Sequence, residues 1–307
     1  MSRDTKHISV CICTFKRPDL LMRLLQKTND QHTEGLFSYS VVIVDNDSMQ
    51  SARKVVIEFA ASSSIPTIYC VEPEQNIALA RNKAVENAKG DFIAFIDDDE
   101  IPDRYWLGNL FKTCSMYNVD GILGPVKPYF EHQPPQWVVK GKFFERATYD
   151  TGYKLRWSET RSGNVLFRRE ILSGIDNAFR PEFGTGSEDT DFFRRMMQKG
   201  RVFVWCNEAV VYELVPPSRC TRSYLLRRAV LIGGNSHKHP THRISNLAKS
   251  VVAVPLYIIA LPIFVVFGQH MFMRYLTKLF YHASRILAFL RWNLVQEKDI
   301  NSQSCVM

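Results

Sequence analysis

Two groups of acidic side chains have the type and spacing to do chemistry. The first ends the stretch "GDFIAFIDDDEIPD" (Gly90 to Asp103), in which an apolar run is followed by Asp97, Asp98, Asp99 and Glu100. The second is "SEDTD", which contains Glu188, Asp189 and Asp191. Carboxylates this close repel one another, so the surroundings of each group must offset this repulsion. Carboxylate oxygens suit hard divalent cations, and a positioned carboxylate can also accept a proton from a reacting hydroxyl.

Three interpretations of the first group compete. It could be a solvated turn that caps a helix beginning near Pro102, because acids are favoured at a helix N-terminus. It could be a calcium site, although the spacing of an EF-hand loop is absent. It could also hold a divalent cation through one or two carboxylates and leave coordination positions for phosphate oxygens, as Mg²⁺ and Mn²⁺ do.

The second group has an alternative of its own. Ser187 or Thr185 can cap a following helix whose apolar face is formed by Phe192, Phe193, Met196 and Met197. The acids then fall in the first helical turn, where the helix dipole favours them without any catalytic role. From the residues alone, both interpretations remain open.

The elements that position these acids are predicted from hydrophobic patterning. Short β-branched runs alternate with longer mixed segments, which is typical of strands and crossover helices in a parallel sheet. The predicted strands are "ISVCICTF", "YSVVIVDN", "PTIYCVE" and "DFIAFIDD", and the predicted helices are "RPDLLMRLLQKT", "MQSARKVVIEFA" and "NIALARNKAVENAKG". In open α/β sheets, ligands bind at the carboxyl ends of the strands. The polar residues that follow these runs are Thr14, Asp45, Asp47, Glu72 and Asp97 to Asp99.

Composition limits the classes of partner. The 307 residues are 46% hydrophobic, which is ample for a sizeable core, and the net charge of +8 indicates an anionic partner. Nucleic acid is not expected, because acids lining the crevice repel phosphate unless a metal intervenes. The seven cysteines form no CxxC pair, which favours a reducing, cytoplasmic compartment. The N-terminus has no secretory h-region, and Cys305 is third from the end, one residue short of the prenylation pattern.

The last 70 residues differ in character. Residues Ser250 to Met273 are uncharged, and Pro255 and Pro262 interrupt them. Basic residues flank both sides, namely Lys238, Arg243, Lys249, Arg274, Lys278, Arg285 and Arg291. Because both flanks are basic, we expect a re-entrant or surface-embedded segment on anionic headgroups. A true membrane span and a buried core helix are the alternatives.

A long segment without clear periodicity, Lys127 to Trp157, separates the two acidic groups. Its prolines and aromatics predict an ordered loop over the crevice. Four aromatic side chains could stack on an acceptor sugar or could simply anchor the loop to the core, namely Trp137, Phe144, Tyr153 and Trp157.

Five motifs occur in an order that resembles the family 2 glycosyltransferases of the GT-A fold, over roughly residues 8 to 236. They are "VCICTFKRPDLL", "VVIVDNDS", "NIALARNKAVENAKGDFIAFIDDDE", "SGNVLFRREIL" and "FGTGSEDTDFFRRMMQKG". The resemblance implies an α/β GT-A domain over residues 1–236, with a nucleotide-binding half (1–126) and an acceptor-side half (127–236). Residues 237–307 would then form a membrane-associated helical tail.

The resemblance also implies roles for single residues. Those expected to bind the nucleotide are Thr14, Asp45, Asp47, Arg81 and Asp98. Asp97 and Asp99 match the DxD motif that holds Mn²⁺ or Mg²⁺. Asp189 matches the general base, Glu188 would orient the acceptor, and Asp191 would be structural. Glu213 stands where many members have a histidine, which puts a third metal contact in doubt.

Two of these residues have simpler interpretations. Asp45 could instead close an Asx turn in "DNDS". Arg81 could be a solvated arginine on a helix face, although a guanidinium also suits a phosphate or a base carbonyl.

The expected function is a metal-dependent inverting glycosyltransferase on the cytoplasmic face of the inner (cell) membrane. It would move a sugar from a nucleoside diphosphate sugar, with a UDP-sugar favoured, to a lipid-linked or saccharide acceptor in polysaccharide biosynthesis. A nucleotidyltransferase is an alternative, but its Gly-rich phosphate loop is missing near the N-terminus. A non-catalytic, cation-dependent module that binds membrane surfaces is another, and it would leave "SEDTD" unexplained.

Overall fold

The computed structural model describes residues 5–184, 186–235, 243–290 and 292. Thr185, Lys238, Arg291, Cys305 and the side chain of Arg243, all considered above, lie outside the described residues. The strands are β1 (Lys6–Thr14), β2 (Phe37–Asp45), β3 (Thr67–Val71), β4 (Phe92–Ile96), β5 (Glu100–Pro102), β6 (Gly121–Leu123), β7 (Val126–Tyr129), β8 (Asn164–Arg168), β9 (Phe203–Trp205) and β10 (Val211–Leu214). The helices are α1 (Pro18–Asn29), α2 (Arg53–Ser62), α3 (Ile77–Asn87), α4 (Trp106–Tyr117), α5 (Gln136–Gly141), α6 (Glu188–Gln198), α7 (Arg222–Asn235), α8 (Arg243–Val266) and α9 (Gln269–Phe289).

A seven-stranded sheet with the order β3-β2-β1-β4-β8-β6-β9 forms the centre of the fold. Strands β1 to β4 pair in parallel, and β8 is antiparallel to both of its neighbours. Thr14 pairs with Asp45, and Asp45 pairs with Val71, so the carboxyl ends of β1, β2 and β3 lie at one edge. The predicted α/β fold with a mostly parallel sheet is confirmed.

The core lies on both faces of this sheet. Along β1, Ile8, Val10 and Ile12 belong to one apolar cluster, while Cys11 faces a second cluster with Phe95. Strands that are apolar on both faces are typical of parallel sheets covered by helices. The near-continuous apolar runs in the sequence therefore reflect burial on two sides.

The segment after the first acidic group differs from its prediction. The helix expected near Pro102 begins at Trp106, and the residues before it form β5 instead. Strand β5 pairs antiparallel with β10, so that Glu100 lies opposite Glu213. The helix-cap interpretation of the four acids is therefore wrong, because Glu100 itself begins β5 and the helix starts only at Trp106.

The chain divides into two compact units, at positions that differ from the expected boundary after residue 236. One unit comprises residues 1–128 and 146–214, and the other comprises 129–145 and 215–307. Helix α7 packs against α9, and the apolar cluster of Val138, Phe144 and Leu225 joins α7 to the segment around α5. Residues 127–157, which were expected to form one ordered loop, instead include the end of β7 and helix α5. They also contribute to both units.

The second unit contains a helical hairpin. Helix α8 packs along α9, with Phe264 stacked on Tyr275 at 3.6 Å between ring centroids and Ser250 hydrogen-bonded to His282 at 3.0 Å. Within the described residues, Ile244–Val266 is the one helix long and apolar enough to cross a membrane, and 6% of its most apolar stretch is buried. This low burial argues against a core helix.

Candidate active site

The first acidic group lies at the carboxyl end of β4, beside the end of β1. The hydroxyl of Thr14 donates to Asp98 Oδ2 at 2.8 Å. Arg17, just before α1, donates from Nη1 to Asp98 Oδ1 at 3.1 Å and to Asp99 Oδ2 at 3.4 Å. The repulsion within the group is therefore partly relieved by an arginine from the neighbouring segment.

Arg81 of α3 joins the two acidic groups. Its guanidinium contacts Glu188 of the second group through Nη1 and Asp97 of the first through Nη2, the latter at 3.4 Å. The Arg81 side chain is 8% exposed, so it is not a solvated arginine on a helix face. Desolvation opposes the charged form, yet Glu188 and Asp97 together raise the pKa of Arg81.

Burial raises the pKa of acids in the first group, including Asp97. Desolvation, opposed in part by Arg17, raises the pKa of Asp98 to about 6. Desolvation together with the neighbouring Asp97 raises the pKa of Glu100 well above its usual range. These shifts reduce the negative charge that the cluster carries when no cation is bound.

A second, three-stranded sheet with the order β5-β10-β7 brings Glu213 and its ion pair to the cluster. Arg146 contacts Glu213 Oε2 through Nη2, and Glu213 lies opposite Glu100 in the pairing of β10 with β5. Although desolvation opposes it, Glu213, Glu100, Asp97 and Asp99 together raise the pKa of Arg146. The position that a histidine often fills thus carries a carboxylate paired with an arginine.

Hydrogen bonds within the fold engage two acids at the end of β2, namely Asp45, its last residue, and Asp47 just beyond it. The Asp45 carboxylate accepts hydrogen bonds from the backbone N–H groups of Asp47 at 3.1 Å and Ala52 at 2.7 Å, and from the Tyr69 hydroxyl at 3.0 Å. Asp47 Oδ1 accepts from the N–H of Met49 at 3.2 Å. These bonds match the Asx-turn interpretation of "DNDS".

The second acidic group begins α6, and its three acids have different surroundings. Glu188 is buried against Arg81, whereas Asp189 is half-buried and accepts from Thr190 N at 2.6 Å. Ser187 is the residue before the helix, but its side chain makes no capping hydrogen bond. Phe192, Phe193 and Met196 are buried on the apolar face, as predicted.

Asp191 is fully buried and holds three arginines. Its carboxylate lies 2.7 Å from Arg195 Nε, 3.1 Å from Arg194 Nη2 and 3.7 Å from Arg180 Nε. Buried ion pairs are costly to break, because the remaining partners keep their charge without compensation.

We expect Asp191→Asn to destabilise the protein by about 3 kcal/mol, because the arginines lose their counter-charge. For a unit of roughly 200 residues, this corresponds to a Tm lower by about 6–12 °C. Thermal unfolding of the variant beside Asp176→Asn, which alters an exposed acid nearby, measures the difference. A Tm within about 1 °C of the unaltered protein would show that the ion pairs contribute little.

Sequence reasoning missed two residues that the structure brings to the site. Arg17 had a signal, because it follows the first strand and precedes a proline-initiated helix, in the region where ligands bind. No sequence signal indicated Arg146, because it lies outside helices and strands in a segment without periodicity.

Of the four aromatics proposed as an acceptor wall, Trp137 and Phe144 pack in the apolar cluster of the second unit. In the first unit, Tyr153 stacks on Tyr149, and Trp157 is half-buried.

The carboxylates of the first group fit a divalent cation. The Asp97 side chain is 47% exposed. A Cβ atom at Gly163 would lie 2.6 Å from Glu100 Oε1 and 2.9 Å from Asp97 Oδ2, so the glycine leaves this space open. Among the described residues, Glu100 Oε1 has no hydrogen-bond partner. The described residues contain no group of three or more metal-binding side chains, as is usual where Mg²⁺ takes one or two carboxylates plus substrate phosphate.

Comparison with known proteins agrees with this geometry. The model of the family "Glycosyl transferase family 2" matches residues 9–175, which is more than half of the chain. The succinoglycan biosynthesis protein ExoM of Rhizobium meliloti (strain 1021) is 34% identical over 234 residues, which cover 74% of this chain and 73% of ExoM.

Two solved structures share the fold. The mannosyltransferase PcManGT from Pyrobaculum calidifontis, in complex with GDP-Man and Mn²⁺, aligns with a TM-score of 0.63 and 19% identity over 94% of this chain and 87% of that one. S. aureus TarS 1-349 in complex with UDP-GlcNAc aligns with a TM-score of 0.53 and 16% identity over 93% and 92% of the two chains. With its GT-A fold and the family match over residues 9–175, the chain belongs to glycosyl transferase family 2 and is a glycosyltransferase.

Proposed function

We propose that the protein is a metal-dependent inverting glycosyltransferase of polysaccharide biosynthesis. Its donor is a nucleoside diphosphate sugar, with a UDP-sugar favoured, and its acceptor is a lipid-linked or other saccharide at the membrane surface. One observation carries the proposal: Arg81 contacts both Glu188 and Asp97, so the acid next to Glu188 lies close to the acids that suit a metal. The polysaccharide setting rests on the similarity to ExoM.

Asp189 is the general base in this proposal. Its neighbours Glu188 and Asp191 are held in ion pairs with arginines, whereas the Asp189 bonds described above come from Thr190. As the acceptor hydroxyl attacks the anomeric carbon, the Asp189 carboxylate takes its proton, and Glu188 orients the acceptor. A single displacement of this kind inverts the anomeric configuration and needs no nucleophilic carboxylate.

The cation and the nucleotide occupy the neighbouring edge of the sheet. Asp97 and Asp99 would hold Mn²⁺ or Mg²⁺, which supplies charge compensation for the departing nucleoside diphosphate. Thr14 would help to hold the nucleoside, and Asp98 and Arg81 would contact the nucleotide, where the guanidinium suits a phosphate. Asp45 and Asp47 shape the nucleoside side through the turn after β2, since the carboxylate of Asp45 is bonded to that turn.

The α8–α9 hairpin attaches the protein to the membrane, at the cytoplasmic face in this proposal. Helix α8 exposes Val252, Ile259 and Val266 to 61%, 71% and 86%. A span of 23 residues is about 35 Å long, enough for the hydrocarbon core. However, α9 packs along α8 and carries Arg274, Lys278 and Arg285, and each such charge costs roughly 2.5–3.5 kcal/mol at the bilayer centre. This cost favours a surface-embedded hairpin over a true span.

Charges placed on the apolar surface of α8 should release the protein from membranes. Asp in place of an apolar residue costs about 3 kcal/mol in the bilayer, so we expect Val252→Asp/Ile259→Asp to lower binding to anionic liposomes at least tenfold. Liposome flotation of the purified full chain measures this. The control is Ile57→Asp, which alters an exposed isoleucine of α2. If the double variant floats as well as the control, the attachment lies elsewhere.

A donor panel tests the proposed function. The purified chain in detergent is incubated with UDP- and GDP-sugars, with Mn²⁺, Mg²⁺ or EDTA, and the release of nucleoside diphosphate is followed. We expect release from one or a few donors, and only with a divalent cation. Equal release in EDTA would contradict metal dependence. Release of pyrophosphate from nucleoside triphosphate and sugar phosphate would instead indicate the nucleotidyltransferase alternative.

A further inference from the structure

The Arg146–Glu213 pair lies beside the proposed cation site. Glu213 is opposite Glu100 in the β10–β5 pairing, and the next residue, Leu214, donates its N–H to the carbonyl oxygen of Asp99 at 2.9 Å. Strand β10 is therefore bonded directly to the backbone of the acidic group. The guanidinium that contacts Glu213 is brought to the same edge of the crevice.

Glu213 does not act like a metal ligand in this arrangement. Its Oε2 contacts Arg146 Nη2, and its side chain is 17% exposed. A guanidinium beside this carboxylate competes with a divalent cation for it, since both are positive. The guanidinium of Arg146 therefore places a positive charge beside Asp97 and Asp99, although the pair as a whole is neutral.

Arg146 is suited to bind an anion from this position. The Arg146 side chain is 36% exposed, and the residue lies outside helices and strands. Because no helix or sheet hydrogen bonds hold its backbone, the guanidinium can make small movements. A guanidinium has five N–H donors and can hold a carboxylate on one edge while it binds phosphate oxygens on another. Lysine lacks this planar fork.

We propose that Arg146 binds the β-phosphate of the donor's nucleoside diphosphate and that Glu213 positions its guanidinium. The proposal rests on the proposed function, which supplies the diphosphate donor. The β-phosphate gains negative charge as its bond to the sugar breaks, so a guanidinium fixed beside it stabilises the leaving group. Arg146 would act together with a cation on Asp97 and Asp99.

Titration calorimetry of the full chain with Mn²⁺ tests this role without turnover. The probes are UDP and GDP with the matching monophosphates, UMP and GMP, and the ratio of diphosphate to monophosphate affinity is the readout. We expect Arg146→Gln to weaken diphosphate binding about 10–100-fold, as for the loss of a hydrogen bond to a charged group, and to change monophosphate binding less than twofold. Arg146→Lys should restore part of the loss, and Glu213→Gln should show a smaller loss.

The control is Arg156→Gln, which alters an exposed arginine paired with Glu159 in the same unit. It should leave the affinity ratio unchanged. The proposal is overturned if Arg146→Gln keeps the normal ratio. It is also overturned if that variant binds Mn²⁺ more tightly with diphosphate affinity intact, because Arg146 would then only screen the carboxylates. If neither diphosphate binds the unaltered protein, the proposed donor class fails instead.

Discussion

Asp189→Asn should lower sugar transfer by roughly 10²–10⁴-fold, the usual contribution of a general base. The amide keeps the size and most of the hydrogen bonding of the carboxylate, but it cannot accept a proton from the acceptor hydroxyl. Because Asp189 is half-buried and is bonded to Thr190 rather than to an arginine, we expect the fold and the donor affinity to be unchanged. Steady-state turnover and calorimetric donor affinity, measured on the same preparation, check both expectations.

The control for the loss of one negative charge is Glu182→Gln. Glu182 is an exposed acid in the 3₁₀ turn Pro181–Phe183, just before the second acidic group. This variant should keep near-normal turnover. If Asp189→Asn also turns over normally, the base is a different group, and the adjacent Glu188 becomes the first candidate. Glu188 is the less suitable base, because its carboxylate is already engaged by the Arg81 guanidinium.

The double variant Asp97→Asn/Asp99→Asn should lose transfer by about 10³-fold or more, because the charge compensation from a cation is worth several kcal/mol. Its affinity for the donor should be the same with Mn²⁺ as with EDTA, whereas the unaltered protein should bind more tightly with Mn²⁺. Calorimetry with and without the cation measures this difference.

Asp103→Asn is the matched control for this variant. Asp103 is exposed, and its Oδ1 accepts a hydrogen bond from the N–H of Tyr105 in a turn at the end of β5. It should keep the cation dependence. If the double variant still binds donor more tightly with Mn²⁺ than with EDTA, other residues hold the cation.

The strands and their polar ends were predictable because burial on both faces leaves a strong signal. The apolar runs of β1, β2 and β4 end at Thr14, Asp45 and Asp97, and the parallel register brings these ends to one edge. The first helix begins at Pro18, as the proline indicated. Local patterning and tertiary structure agree in this half of the chain.

Features that depend on distant pairing could not be read in the same way. Residues Glu100–Pro102 form a strand only because β10, more than 100 residues later, supplies its partner. The contacts of Arg81 and Arg146 likewise join residues 107 and 67 positions apart. No local pattern records such contacts. The grouping of α7 with the C-terminal helices also depends on a distant contact, because α7 packs on the surface of α9.

In the proposed reaction, a nucleoside diphosphate leaves the anomeric carbon in a single displacement, with Asp189 as the base. Time-resolved ¹H NMR of the sugar that the full chain releases from an α-linked nucleoside diphosphate sugar with Mn²⁺ tests it most directly, since water can serve as the acceptor. Spectra are recorded before the released sugar mutarotates. We expect the β-anomer as the first product and its loss in Asp189→Asn. Initial release of the α-anomer would show that the reaction retains the configuration, which rules out a single displacement.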